Sequence, residues 1–286
     1  MANLKDIRKR IGTIESIKQV TRAMKLVAAA KLRRAQANME QARPYAGRIN
    51  GVLKHILPDI DRSTHELLTL RPAKRKAFVV FTSDRGLCGS FNTNILKKAH
   101  AIINAAGKEN SDLICIGRKG YEYFSKRGYH VLDHYADFWK DLNFSHATSM
   151  AGAVQNRYLR GEFDDVRVIF NEFKNVAQQQ IVESHYLPLV LEDDDEQISR
   201  DYLFEPSKDE VVTSLVPRHL NVQMWRFLLE SNAAEQAARM TSMEAATENA
   251  GDLIDSLRLE YNKARQAAIT TEILEVVSGA EALVEQ

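Results

Sequence analysis

The stretch best suited to chemistry is Ser83-Asp-Arg-Gly-Leu-Cys-Gly-Ser90, a turn-rich loop that follows an apolar run. Glycines after a strand can let a backbone cradle a phosphate, so Gly86 and Gly89 beside Asp84 make a nucleotide-site candidate. The detail goes against it. No G-x-G-x-x-G pattern opens a helix here, and G-x-x-x-x-G-K-[ST] occurs nowhere in the chain. Asp84 and Arg85 are therefore expected to serve loop geometry or a surface contact. His130 and His134 stand four apart, flanked by Asp133 and Asp137, and resemble part of a ligand cluster. A third and fourth ligand at clear spacing are missing, so solvated histidines are expected. The two cysteines, Cys88 and Cys115, make no disulfide framework and suit a reducing compartment. Cys115 falls inside an apolar run, where a buried thiol is the ordinary outcome. No Ser, His and Asp arrangement places a nucleophile. The sequence thus predicts no catalytic residue, no cofactor and no metal.

The elements around that loop alternate. Ala77-Phe-Val-Val-Phe-Thr82 and Asp112-Leu-Ile-Cys-Ile-Gly117 read as buried strands, and Val166 to Phe173 as a third. Helices are expected over 92–106, 119–126 and 144–159, the first and last ending at Gly107 and Gly161. Residues 180–189 alternate enough for a further edge strand, and 192–196 form an acidic loop. This order is that of a small parallel sheet with helices upon it.

The 286 residues carry a net charge of only +1, which implies no general pull toward nucleic acid. Charge is instead separated along the chain. Residues 1–43 hold eleven Lys and Arg against three acids, and residues 230–286 hold eleven acids against four bases. Both ends repeat small and aliphatic residues at three- and four-residue steps. Leu4, Ile7, Ile11, Ile14 and Ile17 begin a stripe. It continues as Thr21, Met24, Ala28, Lys31, Ala35, Asn38, Ala42, Tyr45, Ile49, Val52 and Ile56, with an irregular step at Ile14–Ile17 and a kink expected near Pro44. Met243, Thr247, Ala250, Ile254, Leu257, Tyr261, Ala264, Ala268 and Thr271 answer it. A period near 3.5 is what a left-handed supercoil requires. Complementary charge favours pairing within the chain, although each exposed pair adds only a few tenths of a kcal/mol. No window approaches eighteen uncharged apolar residues, so no direct membrane insertion is expected.

Three segments carry a family resemblance. Ile17-Lys-Gln-Val-Thr-Arg-Ala-Met-Lys-Leu-Val-Ala-Ala-Ala-Lys-Leu-Arg-Arg34 resembles the N-terminal helix of the gamma subunit of F-type ATP synthases, of bacterial type. Ser83 to Gly89 resembles the loop after that family's first central strand. Glu260-Tyr-Asn-Lys-Ala-Arg-Gln-Ala-Ala-Ile-Thr-Thr-Glu-Ile-Leu-Glu-Val-Val-Ser-Gly-Ala280 is similar to its C-terminal signature, supported by Glu235-Gln-Ala-Ala-Arg-Met240.

The resemblance implies an α/β chain in which a long antiparallel coiled coil of the terminal helices carries an inserted Rossmann-like domain. The implied divisions are 1–57, 74–206 and 207–286. It implies a non-catalytic rotor shaft that transmits torque between a membrane c-ring and a hexamer of three alpha and three beta subunits, with epsilon as a further partner and no nucleic acid. By resemblance, Met24, Lys25, Arg239, Arg265, Gln266, Ile273, Leu274, Val276 and Val277 face alpha and beta. Tyr202, Phe204 and Glu205 face epsilon and the c-ring. The implied location is the cytoplasmic face of the bacterial inner membrane. The competing reading is a free-standing coiled-coil scaffold, or a nucleic-acid-binding module using the basic helix of residues 5–34.

Overall fold

The computed structural model describes residues 4–62, 65–190, 205 and 207–284. Two helices dominate: α1, Leu4–Ile56, and α5, Lys208–Val284. Between them run β1 (Lys76–Phe81), α2 (Phe91–Ala106), β2 (Ser111–Ile116) and α3 (Arg118–Ser125). Then come β3 (His130–Tyr135), α4 (Phe144–Leu159), β4 (Asp165–Phe173) and β5 (Gln179–Leu187). The chain divides into two compact units, Met1–Val27 with Met240–Gln286, and Ala28–Arg239.

The larger unit is built on a five-stranded sheet in the order β3-β2-β1-β4-β5, parallel except for β5. Alternation along the strands sorts the core into two layers. Ala77, Val79 and Phe81 of β1 face one side with Ile114, Ile116, Val166, Val168 and Phe170. That side is covered by Ile49, Leu53 and Ile56 of α1, by α4, and by Val212, Val216, Leu220 and Phe227 of α5. Phe227 sits among the rings of Phe81, Phe170 and Tyr186 at centroid distances of 6.3, 4.7 and 6.2 Å. The other side carries Phe78, Val80, Leu113, Cys115 and Ile169 under α2 and α3.

Two expectations need correction here. Residues 130–135 form a strand that the sequence reading did not include. Its exposed and half-buried residues mark an edge, where no apolar run announces it. α1 runs on through Pro44 to Ile56, as expected of a helix that resumes beyond the proline. Proline removes one helical bond, and the residues beyond it are held by burial of Ile49, Leu53 and Ile56 in the core.

The apolar seam of α1 also has another phase. Lys31, Asn38 and Tyr45 are exposed, whereas Leu32, Met39 and Leu53 are buried alongside Ala28, Ala35, Ile49 and Ile56. Ile17 is likewise exposed. Ile14, Thr21, Met24 and Lys25 are half-buried there, so Thr21 and Met24 keep their expected places. On α5 the expected seam holds from Met243 to Ala268, while Thr271 is exposed.

His219 lies inside the larger unit, 1% exposed, with Nδ1 unpartnered and Nε2 facing the Gln223 amide at 3.4 Å. Burial lowers its pKa to about 4. The unfolded chain therefore takes up a proton near the ordinary histidine value while the folded chain does not. Stability contributed above that value is lost as pH falls toward the folded pKa, by on the order of 3 kcal/mol. Replacing His219→Leu should flatten the acid limb: the fall in thermal midpoint between about pH 7.5 and about pH 4.5 becomes smaller than in the parent protein. An equal fall in both proteins would show that other groups set the acid sensitivity.

Candidate functional site

In an open parallel sheet, ligands bind beyond the strand C-termini where the strand order reverses. Here that place lies past β1 and β4, beside the Ser83–Gly89 loop. On its β2 side the loop is tied down by the chain itself. Thr82 Oγ1 accepts the Gly120 N–H at 2.8 Å and donates to the carbonyls of Ile116 and Gly117 at 3.2 Å. Gly117, at φ +99, comes so close that an added Cβ would stand 2.0 Å from the Thr82 carbonyl oxygen. Asp84 accepts the N–H of Arg118, the first residue of α3, at 2.9 Å and that of Asp137 at 2.7 Å. A carboxylate of the chain thus takes the first backbone donor of α3 and one from the segment after β3.

α5 closes the other side. Phe91 and Cys88 are buried against Ala234, with Phe173 and Ala238 packed around them. Glu230, at the end of β4, accepts the Phe173 N–H at 3.0 Å. Burial raises the Glu230 carboxyl, against the pull of that N–H and of Arg226. One turn further on, Glu235 pairs with Arg239 at 2.6 Å, their side chains 9% and 13% exposed. Burial raises the Glu235 carboxyl too, opposed chiefly by Arg239; Asp84 adds to the rise and Lys31 opposes it. Arg239 Nη2 also donates to the carbonyls of Arg85 and Gly86, at 3.4 and 3.2 Å. Arg239, expected at a partner interface, is therefore occupied within this unit. Neither Glu230 nor Glu235 was singled out from the sequence, because an acid in a long acidic helix looks like any other until its burial is known.

The histidine cluster does not assemble. Four residues along a strand span about 13 Å, too far for one metal. His130 Nδ1 meets Asp112 at 2.6 Å, while His134 stacks on Tyr121 with centroids 4.2 Å apart. Asp133 receives Arg157 at 3.0 Å, and Asp137 pairs with Arg118. Among the described residues no group of three or more His, Cys, Asp or Glu side chains is gathered as a metal would need. Cys88 and Cys115 are both free and buried, and burial pushes the Cys115 thiol up to about 12.

The smaller unit holds the remaining expected contact residues. Its two helix segments run antiparallel, as the pairs across them require: Glu15 with Arg258 at 3.0 Å, Thr21 with Thr247 at 2.8 Å, and Lys25 with Glu244. Three polar pairs in register fix how one segment lies on the other, a role that polar residues in a coiled-coil seam commonly take. Met24 and Lys25 are half-buried in this pairing. Arg265 and Gln266 are exposed, as are Ile273, Leu274, Val276 and Val277, the last four at 49–72%. Such a run of uncovered aliphatic side chains suits a surface made to be covered. Glu205 is exposed; Tyr202 and Phe204 lie outside the described residues.

The sealed crevice yields a test. Substituting Asp84→Ala removes the acceptor of two backbone N–H groups and should cost about 1–3 kcal/mol, read as a lowered thermal midpoint. Asp84→Asn, which keeps one carbonyl oxygen, should cost less. A midpoint unchanged in Asp84→Ala would mean that the carboxylate does not hold the loop.

With this geometry in place, comparison with known proteins is direct. A family model described as ATP synthase matches residues 3–283. The ATP synthase gamma chain of Prosthecochloris aestuarii is 50% identical, with 99% of each chain covered. That of Chlorobaculum parvum is 49% identical at the same coverage. Among solved structures, a chain of the Euglena gracilis mitochondrial ATP synthase (OSCP/F1/c-ring, rotational state 3) aligns over 98% of this chain and 94% of its own. The TM-score is 0.70 at 19% identity. A chain of the Tetrahymena thermophila central stalk/c-ring assembly aligns over 79% of this chain and 99% of its own, with TM-score 0.63 and 24% identity. These two likenesses concern the fold. A match that runs unbroken from one terminal helix, through the sheet, to the other leaves one assignment: the chain belongs to the ATP synthase gamma-chain family.

Proposed function

We propose that this chain is the central rotor shaft of a proton-translocating ATP synthase. It passes torque between the membrane c-ring and a hexamer of three alpha and three beta subunits, with epsilon bound beside it. The observation that carries the proposal is family membership over the full length, joined to a sheet crevice closed by the chain's own residues. The family likeness assigns ATP chemistry to the partners, with no cofactor on this subunit. Residues 1–57, 74–206 and 207–286 are its working divisions.

Rotation acts on catalysis by population shift. One angular position of the shaft favours a tight nucleotide site in one beta subunit and an open site in another, through unequal contacts with each. Met24, Lys25, Arg239, Arg265, Gln266, Ile273, Leu274, Val276 and Val277 are the contacts assigned to the alpha/beta hexamer. The aliphatic end serves as a bearing, since apolar burial is non-directional and lets a surface slip. Arg265 and Gln266 serve as catches, since charged and amide groups engage a partner loop in few orientations. Tyr202, Phe204 and Glu205 are assigned to epsilon and the c-ring. No described helix is long and apolar enough to cross a membrane, consistent with a peripheral position at the cytoplasmic face of the bacterial inner membrane.

The nucleic-acid reading of the basic helix has little left to support it. Lys25 is paired with Glu244 and Lys18 Nζ lies near Gly251, so two of these bases turn toward α5, and the full-length family match leaves the rotor reading without that rival.

The double substitution Arg265→Ala with Gln266→Ala should lower ATP synthesis and coupled hydrolysis in the assembled complex while nucleotide binding to the partners persists. One lost charge-assisted contact of roughly 1.5–3 kcal/mol changes a two-state bias tenfold or more. Truncation after Thr271, which removes the bearing and keeps both catches, should leave rotation with reduced torque. Normal turnover and torque in the double variant would refute the catch assignment.

A further inference from the structure

The Arg85–Leu87 tip of the loop after β1 has an unusual standing. Arg85, Gly86 and Leu87 are exposed, and Leu87 is a non-glycine residue at φ 63 with 63% of its surface uncovered. A γ-branched residue in the left-handed region carries a conformational cost of roughly 1–2 kcal/mol. An exposed tip in that state needs something to hold it.

The holding atoms are few. Ser83 Oγ donates to the Arg85 carbonyl at 2.6 Å from within the loop. From outside it, Arg239 supplies the donor to both the Arg85 and Gly86 carbonyls. Arg239 is itself aimed, because Glu235, one turn back on the same helix, takes Nη1 at 2.6 Å and leaves Nη2 for the loop. A planar guanidinium can bridge a carboxylate and two carbonyls at once; a lysine ammonium on its flexible stem cannot. Beneath this clamp lies Cys88, 1% exposed. Its thiol contacts Ser83 Oγ at 3.8 Å and receives the Asn92 amide at 3.3 Å. Cys115, the second thiol, is buried in the middle of β2.

We propose that Glu235 and Arg239 form a latch that fastens the Arg85–Gly86 backbone to α5 and holds the Leu87 tip in its left-handed conformation, with Cys88 sealed underneath. Arg239 is a positioning residue in this scheme, acting on the loop it holds in addition to the partner contact assigned to it. The latch belongs to the chain alone and stands whether or not the rotor reading does.

The two cysteines make the test internal to the protein. In the full-length chain, the rates at which Cys88 and Cys115 react with a small maleimide are followed by mass spectrometry of their peptides. Arg239→Ala should speed Cys88 roughly tenfold, the effect of losing one set of charge-assisted bonds on a local opening, while Cys115 keeps its parental rate. Arg239→Lys and Glu235→Gln should fall between the parent and Arg239→Ala. General loss of structure would open both thiols, so the latch is refuted if Cys115 accelerates together with Cys88. It is equally refuted if Cys88 stays as protected in Arg239→Ala as in the parent, or if Arg239→Lys protects Cys88 fully.

Discussion

The larger unit depends on the burial of one sheet face by segments from distant parts of the chain. The last turns of α1 and the first turns of α5 lie on the same apolar layer, with α4 beside them. Each fully buried Leu, Ile or Phe on that layer contributes about 1.5–3 kcal/mol. Phe227, packed among three aromatic rings, anchors α5 there, and the Tyr186 hydroxyl adds a bond to the Leu220 carbonyl at 3.0 Å. Without that layer neither helix has a fixed origin. Beyond it the buried side chains of the helices include small ones, Ala28, Ala35 and Ala250, which bury less each than Phe227 does.

The same docking accounts for the closed crevice. Because α5 crosses past the ends of β1 and β4, its Glu230 reaches the Phe173 N–H and its Ala234 covers Cys88. The topology would admit a dinucleotide; the side chains do not. Thr82 and Asp84 take the backbone N–H groups of Gly120, Arg118 and Asp137, so on this side the fold spends its donors on its own loops.

Much of this was legible from residue order. Continuous apolar runs gave β1, β2 and β4 because those strands are buried on both faces, and Gly107 and Gly161, at φ 94 and 71, close helices as expected. The β3 strand escaped because an edge strand of mixed polarity has neither run nor clean alternation. The seam of α1 was misphased for a related reason. Where candidates such as Lys31 and Leu32 are neighbours, a 3-4 repeat reads almost equally well in two registers, and only packing decides. Acids of the site were hidden differently. Glu230 and Glu235 look like solvated charges in sequence; the Phe173 N–H that Glu230 accepts lies far away along the chain, and Glu235 shows its place only through Arg239, which reaches the distant Arg85 carbonyl.

The split origin of the core bears on how the chain is made. Synthesis delivers α1 first and all five strands next, yet Val212 to Leu228 leave the ribosome only after the whole sheet has emerged. Until then the layer of Val79, Phe81, Val168 and Phe170 lacks its cover from α5 and presents bare apolar surface to the cell. Completion must wait for a segment more than 150 residues downstream of α1, as in any contact of high sequence separation. A nascent chain in that condition is a client for chaperones, and termination before Val212 to Leu228 are made leaves a sticky fragment rather than a shorter working subunit.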